Sequence, residues 1–540
     1  MNLTRILVVA AAVSAAVYLA ILVLFPDALF AFTFDDAFYY FGIARNLAEG
    51  NGSTWDGIQR TNGYHPLWML LCVPVFLAGL DGLTAARVLV GAQLVLWAAA
   101  MVLLARRLGT LTGSLSGIRD PLARRWAAFG VVSAFVLVAG NPFVVRTFVN
   151  GLESGVVVVV GALIVDRALD GDGRWLADDI ESRRRLIMGM LLVLAFLART
   201  DAVLLAACLG LWCLAEARGL GVRALRRLAE LFGPVAVVCT VFLAVNQVVF
   251  DTAVQVSGVV KRAEPTIPRI VGMALVVALA LLIGATGWRR SHVDPARRPP
   301  TRFSRVAAVH ARTAWYGAFG VLLVGYYSFA QVQQWLWYFA PLVLWLIVVV
   351  VAGVADFVEA AVAEAPAGRS PTRALAPVLA ILVVPLLGAF AWMTRSFADP
   401  QLRSIQLANR DAGEWIDANL PPDAVLASWD AGVVGYLADR PTVNLDGVVA
   451  SMAFVEARDE GRLGTFLAER RVGWIVNHGE VTGGQDPETL RFVDATFGPG
   501  TAEATTLVRD WPFTFSGVTV GAGFRGAPAG QQAVFLYRLP

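Results

Sequence analysis

Long apolar runs alternate with short polar connections over the first 393 residues of the chain. Eleven of these runs are candidates for crossing a bilayer, which takes about 20 residues of helix. They lie near residues 5–25, 84–105, 126–147, 153–167, 186–198, 201–217, 229–250, 268–287, 313–331, 335–355 and 374–393. The pattern predicts an α-helical polytopic membrane protein whose first run is an uncleaved helix and not a signal peptide.

A further apolar run, HPLWMLLCVPVFLAGL at residues 65–80, is shorter and contains Pro66 and Pro74. If this run does not cross, all the arginine-rich connections fall on one side of the membrane. Those connections are 106–125, 167–185, 218–228, 288–312 and 357–373. The positive-inside rule assigns them to the cytoplasm. We therefore predict about 11 spans plus juxtamembrane helices, with a cytoplasmic N-terminus and an extracytoplasmic C-terminus.

After residue 393 the apolar runs become short. Residues 405–420 have apolar positions at helical spacing. Four short runs predict strands, at 424–429, 441–446, 473–479 and 532–539. The chain thus divides into a transmembrane module at 1–393, with a first outer loop at 26–83, and a small extracytoplasmic α/β domain at 394–540.

Composition agrees with a membrane location and limits the partners. Of the 540 residues, 57% are hydrophobic and 16% are charged, and the mean hydropathy is +0.64. The formal net charge is only +3, which indicates no nucleic-acid partner. All four cysteines (Cys72, Cys208, Cys213 and Cys239) lie in apolar runs, so we expect neither a disulfide framework nor a cysteine metal site.

The predicted topology gathers most ionisable residues that flank outer helix ends on one surface. Such groups are costly at a membrane unless they have partners or a function. They are Asp35, Asp36, His65, Glu153, Arg199, Asp201, Lys261 and Arg262. We expect a wet catalytic cavity that opens to the outside.

Two adjacent acids, Asp35 and Asp36, begin the first outer loop in FTFDDAFYYFGIARNLAEGNG. One interpretation is helix capping, because an acid at a helix N-terminus accepts backbone N–H bonds and interacts with the helix dipole. Capping explains one acid better than it explains two. From these residues alone, capping as the sole role and a chemical role for one acid both remain open.

The order of motifs resembles the GT-C superfamily of integral-membrane glycosyltransferases. After the acidic pair come NG-x-HPLW at 62–68, GLES at 151–154, LARTD at 197–201 and W-x-WY-x-x-P at 335–341. The stretch SWDAGVVGYLADRPTVNLDG at 428–447 completes the pattern. It is most similar to bacterial members of the type that includes mycobacterial arabinofuranosyltransferases and mannosyltransferase-type enzymes.

This resemblance implies a GT-C fold and an activity. Such enzymes transfer a sugar, with inversion, from a polyprenyl-phosphate carrier to an acceptor on the far side of the membrane. The implied partners are a polyprenyl-phosphate-linked sugar donor, a glycan acceptor and membrane lipids, and the implied setting is cell-envelope assembly at the inner (plasma) membrane. One aspartate of the first loop acts as general base. Asp35 and Asp36 match it, with Asp36 slightly favoured.

The cations suit the same chemistry. A departing polyprenyl phosphate gains negative charge, which fixed cations stabilise more in the transition state than in the ground state. Lys261 and Arg262 are the pair best suited to that role, and lipid-headgroup anchoring is their structural alternative. Arg199 is another phosphate candidate, but an ion pair with Asp201 that closes a tight hairpin is the preferred interpretation.

Glu153 and His65 each have a structural alternative too. Glu153 is either a helix-start acid or a substrate contact. His65 has no second ligand at metal spacing, so a hydrogen-bonding role in the substrate site is preferred to metal binding. No cofactor is required. A divalent cation held by oxygens of Asp35 and Glu153 is the less favoured alternative.

Three aromatic residues, Trp335, Trp337 and Tyr338, lie at the outer start of a predicted span. They are either part of an interfacial aromatic belt or a platform on which a sugar stacks. The belt is preferred for at least one of them.

Two other functions stay open. An enzyme like a protein O-mannosyltransferase shares the acidic first loop but acts on polypeptide. A transporter or flippase of lipid-linked sugars suits discontinuous helices near Pro66 and Pro74. The ionisable residues collect at one face and do not trace a path through the bilayer midplane, which favours the glycosyltransferase.

Overall fold

The structure, a computed structural model, describes residues 3–540 except 114, 116–117, 179, 218–220, 294–301, 333, 364–370, 399–403, 482–483 and 515–530. All five predicted cytoplasmic connections, 106–125, 167–185, 218–228, 288–312 and 357–373, therefore lie partly outside the described residues.

Up to residue 398 the described chain is mostly helical. Its helices are α1 (Leu3–Leu24), α2 (Ala28–Phe32), α3 (Asp35–Glu49), α4 (Pro66–Leu77), α5 (Gly82–Thr112), α6 (Pro121–Ala139), α7 (Pro142–Phe148), α8 (Ser154–Leu169), α9 (Ser182–Ala198), α10 (Val203–Glu216), α11 (Val222–Phe250), α12 (Val256–Val260), α13 (Ile267–His292), α14 (Ser304–Phe329), α15 (Ala340–Ala363) and α16 (Pro371–Ala398). Short 3-10 turns, Thr200–Ala202 and Leu336–Phe339, precede α10 and α15. Every apolar run predicted to cross falls on these elements.

Six helices of the described chain are long and apolar enough to cross a membrane by length and composition. They are Leu3–Leu24, Gly82–Thr112, Pro121–Ala139, Val222–Phe250, Ile267–His292 and Leu336–Ala363. Other predicted spans are short, since α8, α9 and α10 have 16, 17 and 14 residues. A count of eleven crossings therefore stays a prediction. The run at 65–80 forms α4, whose 12 residues are too few to cross and which contains Pro74.

The run predicted as one span at 126–147 is two helices, α6 and α7. The chain breaks at Gly140, and the side chain of Asn141 then caps α7 by accepting a hydrogen bond from the backbone N–H of Phe143 at 3.0 Å. Pro142 follows as the first residue of α7, where its missing N–H costs nothing. Hydropathy averaged over a span misses this break because most of the residues on both sides of it are apolar.

The helices pack as a bundle with a strongly apolar exterior. α1 packs on α5, α9 on α11, and α14 between α13 and α15. On α11 and α13 most of the apolar side chains face outward, and Val248 and Ile267 are 82% and 78% exposed. Such faces are unfavourable in water and suit a lipid environment.

The C-terminal part is a small α/β unit. Its elements are α17 (Ser404–Asn419), β1 (Val425–Ser428), α18 (Ala431–Ala438), β2 (Thr442–Asn444), α19 (Met452–Asp459), α20 (Leu463–Glu469), β3 (Val472–Glu480), α21 (Pro487–Phe497), α22 (Thr501–Ala504), β4 (Thr506–Thr514) and β5 (Gln531–Arg538). The strand order is β2-β1-β3-β5-β4. β1 runs parallel to β2 and β3, whereas β5 runs antiparallel to β3 and β4.

All four predicted strands occur, and a fifth, β4, was not predicted. Its sequence TLVRDWPFT breaks apolar alternation with adjacent charges, Arg509 and Asp510, and contains Pro512. β4 lies at the edge of the sheet, where a proline is tolerated, and its register to β5 shifts between Leu507 and Arg509. An irregular edge strand of this kind leaves little periodic signal.

The carboxyl ends of β1 and β2 face the first outer loop. Phe38 of α3 packs against Tyr436 of α18 with ring centroids 5.5 Å apart, and buried residues of α18 belong to the same hydrophobic core as the helical bundle. A salt bridge of 3.1 Å joins Arg410 of α17 to Asp27. The α/β unit is therefore packed directly onto the loop that carries the two acids.

Candidate active site

A cavity of about 390 Å³ lies between the first outer loop, the ends of several helices and the α/β unit. Nine of the predicted site residues line it, namely Asp36, His65, Glu153, Arg199, Asp201, Lys261, Arg262, Trp337 and Tyr338. Asp35 and Trp335 do not line it. Residues separated by up to 302 positions in the chain thus meet around one space.

Two walls of the cavity come from different parts of the chain. On the helical side Phe196, Cys239 and Phe242 from α9 and α11 present apolar surface. On the opposite side Val448 and Val449, from the loop after β2, close it. The first outer loop and this loop touch closely, since a Cβ on Gly63 would lie 2.2 Å from the carbonyl oxygen of Val448. The cavity is therefore bounded by both parts of the chain.

Asp36 is the acid that faces the cavity. Its Oδ2 lies 3.8 Å from the Nζ of Lys261, and 34% of its side chain is exposed. Burial raises the pKa of the Asp36 carboxyl, and Lys261 opposes that rise. Burial would lower the pKa of Lys261, but Tyr338, whose hydroxyl lies 3.4 Å from Nζ, and Asp36 together hold it above its ordinary value. A half-buried base and a persistent cation thus share one wall.

Asp35 points away from the cavity into the α/β unit. Its Oδ2 accepts a hydrogen bond from the backbone N–H of Gly432 at 2.7 Å, and its Oδ1 accepts one from Val433 at 2.8 Å. These N–H groups begin α18, so Asp35 caps a helix almost 400 residues further on and not its own helix. Burial, reinforced by Asp430, raises the pKa of Asp35 to about 8.

Tyr39, one helical turn after Asp35, extends the same contact. Its hydroxyl accepts hydrogen bonds from the backbone N–H of Ala431 at 3.1 Å and from Nδ2 of Asn444 at 2.9 Å. It donates to the carbonyl of Trp429 at 3.3 Å. One face of α3 is therefore fastened to the carboxyl ends of both β1 and β2.

Two further acids, Asp430 and Asp446, lie near the pair, and no individual role was predicted for them. Asp430 follows β1, and its Oδ2 lies 3.3 Å from Nδ1 of His478, whereas Asp446 follows β2. Burial raises the pKa of Asp446 well above its usual value, and Asp430 and Asp36 add to the effect. The signal that could have found them is positional, because ligands of α/β sheets bind outside the carboxyl ends of parallel strands.

Arg199 is engaged by protein partners on every side. Its guanidinium is 2.6 Å from Glu153 Oε1, 2.6 Å from Asp201 Oδ2 and 2.7 Å from the Tyr327 hydroxyl. The expected pair with Asp201 is present, and Glu153 adds a second carboxylate. With 3% exposure, Arg199 has little capacity left for a phosphate and instead joins the ends of α8, α9, α10 and α14.

His65 is held by hydrogen bonds. Its Nδ1 lies 2.8 Å from Nε2 of Gln255, which can only donate, so the ring proton is assigned to Nε2. That nitrogen is 3.9 Å from Glu153 Oε1. Burial lowers the pKa of His65, which favours the neutral ring. Among the described residues no group of three or more His, Cys, Asp or Glu side chains could hold a metal ion.

Aromatic rings form a third part of the wall. Trp337 and Tyr338 line the cavity, and Trp335 stacks behind Trp337 with centroids 5.1 Å apart and planes at 5°. Tyr338 stacks on Tyr327 at 3.8 Å. Arg262 is exposed at the cavity, and its backbone pairs with Gln331 in an isolated bridge. This bridge ties the Lys261–Arg262 loop to the aromatic segment.

Three buried polar residues at or near the site were not predicted. Tyr40 accepts a hydrogen bond from the backbone N–H of His65 at 2.9 Å and donates to Glu153 at 3.0 Å. Gln255 holds His65. Arg146 of α7 is 8% exposed and lies over the ring of Phe34 at 4.2 Å, without a hydrogen bond or ion pair to any described residue. Its charge inside an apolar run was the available signal.

Comparisons with known proteins cover both parts of the chain. Residues 397–537 match a family model described as a domain of unknown function, DUF8728. No curated protein matches the sequence. Among solved structures the chain is similar to ArnT from Cupriavidus metallidurans bound to undecaprenyl phosphate, with 14% identity, 97% of each chain covered and a TM-score of 0.47. It is also similar to the archaeal oligosaccharyltransferase AglB from Archaeoglobus fulgidus in complex with an inhibitory peptide and a dolichol-phosphate, with 13% identity, 95% of this chain and 75% of that chain covered and a TM-score of 0.42. The family model covers the C-terminal α/β unit and leaves the helical part unassigned.

Proposed function

We propose that this protein is a GT-C-type glycosyltransferase that moves a sugar from a polyprenyl-phosphate carrier to a hydroxyl of a glycan acceptor, with inversion. The observation that carries the proposal is the pairing of Asp36 with Lys261 at 3.8 Å on the wall of a cavity that also presents apolar surface from α9 and α11. The order of motifs along the chain supports the same assignment. The setting we propose is cell-envelope glycan assembly at the inner membrane, with the cavity facing outward.

Asp36 supplies the general base. Transfer with inversion is a single displacement, so it needs one carboxylate within hydrogen-bond reach of the attacking hydroxyl. Asp36 is the acid of the pair that lines the cavity, whereas both oxygens of Asp35 are occupied by α18. The raised pKa of Asp36 increases its basicity and suits it to accept a proton near neutral pH.

Lys261 and Arg262 stabilise the leaving group. When the bond between sugar and phosphate breaks, negative charge grows on the phosphate oxygens, and a fixed cation lowers the energy of that state more than that of the bound donor. Lys261 remains protonated because its pKa is raised by Tyr338 and Asp36. Arg199 is excluded from this role by its two carboxylate partners.

The two walls suggest separate routes for the substrates. The apolar wall of Phe196, Cys239 and Phe242 belongs to helices in contact with the bilayer and would receive the prenyl chain of the donor. The acceptor would then approach from the side of Val448 and Val449. In this arrangement the α/β unit forms part of the acceptor entrance, and Asp35 is a positioning residue that fixes this unit to the loop carrying Asp36.

Replacing each acid separately tests the proposal. The full-length protein is assayed for transfer from polyprenyl-phosphate-linked arabinofuranose and mannose to cell-envelope glycan fragments, with donor binding measured in parallel. Asp36→Asn keeps the shape of the side chain and removes the base, so transfer should fall by about 10²–10⁴-fold with donor affinity changed only a few-fold.

Three outcomes would contradict the proposal in whole or in part. Turnover retained in the Asp36→Asn variant would show that another group takes the proton. Movement of the donor across a vesicle membrane without any transfer would instead support the transporter considered from the sequence. Transfer to a polypeptide but not to glycans would replace the proposed acceptor with that of a protein O-mannosyltransferase-like enzyme.

A further inference from the structure

A second cavity, of about 490 Å³, lies in the half of the helical bundle opposite the active site. Its walls are one face each of α10, α13 and α14, with lining residues at helical spacing such as Leu204, Cys208 and Leu211 on α10. α10 and α13 both pack against α14 but barely touch each other, which leaves the space open between them. The groove so formed runs alongside the apolar exterior of α13.

The lining is apolar except at one end. Arg289, near the C-terminal end of α13, is the charged residue of the lining, and Trp288 lies beside it. Arg289 makes no hydrogen bond or ion pair within the part of the chain that the structure describes, and the buried indole N–H of Trp288 has no partner there either. An exposed arginine and a buried, unpaired indole N–H therefore lie together at one end of an apolar groove. The buried indole N–H is costly unless a ligand pairs with it.

We infer that this groove binds an anionic phospholipid of the cytoplasmic leaflet, with one acyl chain between α10, α13 and α14 and the phosphate at Arg289 and Trp288. The end with Arg289 leads into the connection 288–312, which the positive-inside rule assigns to the cytoplasm. A phosphodiester supplies acceptor oxygens for both donors and a negative charge that complements the guanidinium of Arg289. The inference does not depend on the proposed enzyme activity.

The size of the groove selects one acyl chain. A dry apolar cavity of about 150 Å³ holds benzene, with six carbons, so a cavity about three times larger has room for roughly twenty carbons. One acyl chain of a phospholipid fits that capacity, whereas the much longer chain of a polyprenyl phosphate exceeds it. From Met273 to Arg289 the groove follows α13 for roughly 24 Å at about 1.5 Å per residue, which exceeds half of the apolar thickness of a bilayer.

The groove is also connected to the active site through α10. The N-terminal end of α10 follows Thr200 and Asp201, which line the catalytic cavity, and the rest of the same helix lines the groove. A lipid held there would brace the helix behind Asp201. Binding itself, and not catalysis, is the property tested.

Gly284 permits a blocking variant. It lines the groove, and a Cβ built on it meets nothing within 4 Å, so a larger side chain would enter the space of the acyl chain without disturbing a contact. Leucine also favours a helix more than glycine does, which protects folding. Gly388→Leu on α16 is the matched control, since Gly388 is equally open and lies outside the groove.

The experiment is native mass spectrometry of the delipidated full-length protein in detergent with dioleoyl phosphatidylglycerol, dioleoyl phosphatidylcholine or undecaprenyl phosphate. Phosphatidylglycerol should bind the unchanged protein and Gly388→Leu more tightly than phosphatidylcholine does, and Gly284→Leu should lose that binding. Arg289→Gln should weaken the binding of phosphatidylglycerol about fivefold, which is the contribution of one arginine at an anionic lipid surface. The neighbouring Arg290→Gln, outside the lining, should have a smaller effect.

Three results would overturn the inference. The first is unchanged phosphatidylglycerol binding in Gly284→Leu. The second is an equal loss in Arg289→Gln and Arg290→Gln, which would indicate only diffuse attraction to the basic end. The third is binding of undecaprenyl phosphate that is stronger than that of phosphatidylglycerol and is abolished in Gly284→Leu. This result would assign the groove to a polyprenyl carrier. Thermal unfolding without lipid checks that each variant is folded. If Gly284→Leu does not fold, Arg289→Gln still tests the inference.

Discussion

Oδ2 of Asp35 lies 2.7 Å from the backbone nitrogen of Gly432, so an acid of the first outer loop caps a helix of the C-terminal α/β unit. Its neighbour Asp36 faces the cavity and Lys261 instead. Successive residues of a helix point about 100° apart, which explains how adjacent acids serve different surfaces.

Gly432→Ala should disturb the contact between loop and α/β unit without changing either acid. A Cβ at this position would lie 2.1 Å from the backbone oxygen of Asp35, which is backbone and cannot swing away. We expect faster hydrogen exchange in α18 and a transfer rate reduced about tenfold or more, as small displacements of positioning elements produce, with donor binding preserved. Gly473→Ala is the control, since a Cβ there meets nothing within 4 Å. Equal behaviour of the two variants would argue against the positioning role of Asp35.

The stability contributed by Asp35 should decrease as pH rises. Its pKa is about 8 in the folded protein against an ordinary value of 3.8, so the folded state binds the proton more tightly than the unfolded state. Stability from this group is therefore complete below about pH 3.8 and is lost progressively up to about pH 8, at no more than about 1.4 kcal/mol per pH unit.

The difference in unfolding free energy between the Asp446→Asn protein and the Asp35→Asn, Asp446→Asn double variant measures this effect. Asp446 is removed from both because its pKa is raised as well and would give the same sign. The difference should shrink between pH 6 and pH 8. Parallel curves over that range would show that Asp35 is ionised in the folded protein.

Lys261→Met and Arg262→Met should separate two effects of charge. Both variants lose a cation that we propose stabilises the leaving phosphate, so both should lower the transfer rate. Only Lys261 opposes the rise in the pKa of Asp36, and its loss should move the acidic limb of the pH–rate profile to higher pH, because the base must be deprotonated to act. The limb should stay in place in Arg262→Met. A shift in both variants, or in neither, would contradict the pairing of Asp36 with Lys261.

Arg199→Met should destabilise the folded protein strongly. The substitution leaves Glu153 and Asp201 buried without their shared cation, and removing one partner of a buried ion pair typically costs about 3–5 kcal/mol. Unfolding in increasing concentrations of a denaturing detergent measures this loss of unfolding free energy. Arg226→Met, which removes a largely exposed partner of Glu230, should change little. A loss of donor binding with full stability would instead place Arg199 at the phosphate.

The positions of the helices could be predicted from hydropathy because each apolar run is long compared with a helical turn. Boundaries were less secure, as the break at Asn141 and Pro142 shows. The strands β1, β2, β3 and β5 carry continuous or alternating apolar residues, but β4 combines two charges and a proline at an edge, where no apolar face needs to be regular.

Part of the cavity lining could be predicted from the sequence, and the reason is electrostatic. Charged residues at the ends of apolar helices are conspicuous in a sequence. Nine of the predicted residues, seven ionisable and two aromatic, line the cavity. The division between Asp35 and Asp36 was out of reach, since it depends on the N-terminus of α18. Asp430 and Asp446 were missed because their relevance comes from the docking of a separate sheet. The preferred pairing of Arg199 with Asp201 is present, but hydropathy does not show that Glu153 lies beside it as a second partner.

The contact of Val448 with Gly63 has a consequence for building hybrid proteins. The loop after β2 is both a cavity wall and a neighbour too close for any side chain at position 63. A chimera that joins the helical part to the α/β unit of a relative would need the first outer loop from that relative too. The unit of exchange is thus discontinuous, made of a segment near the start of the chain and its last quarter.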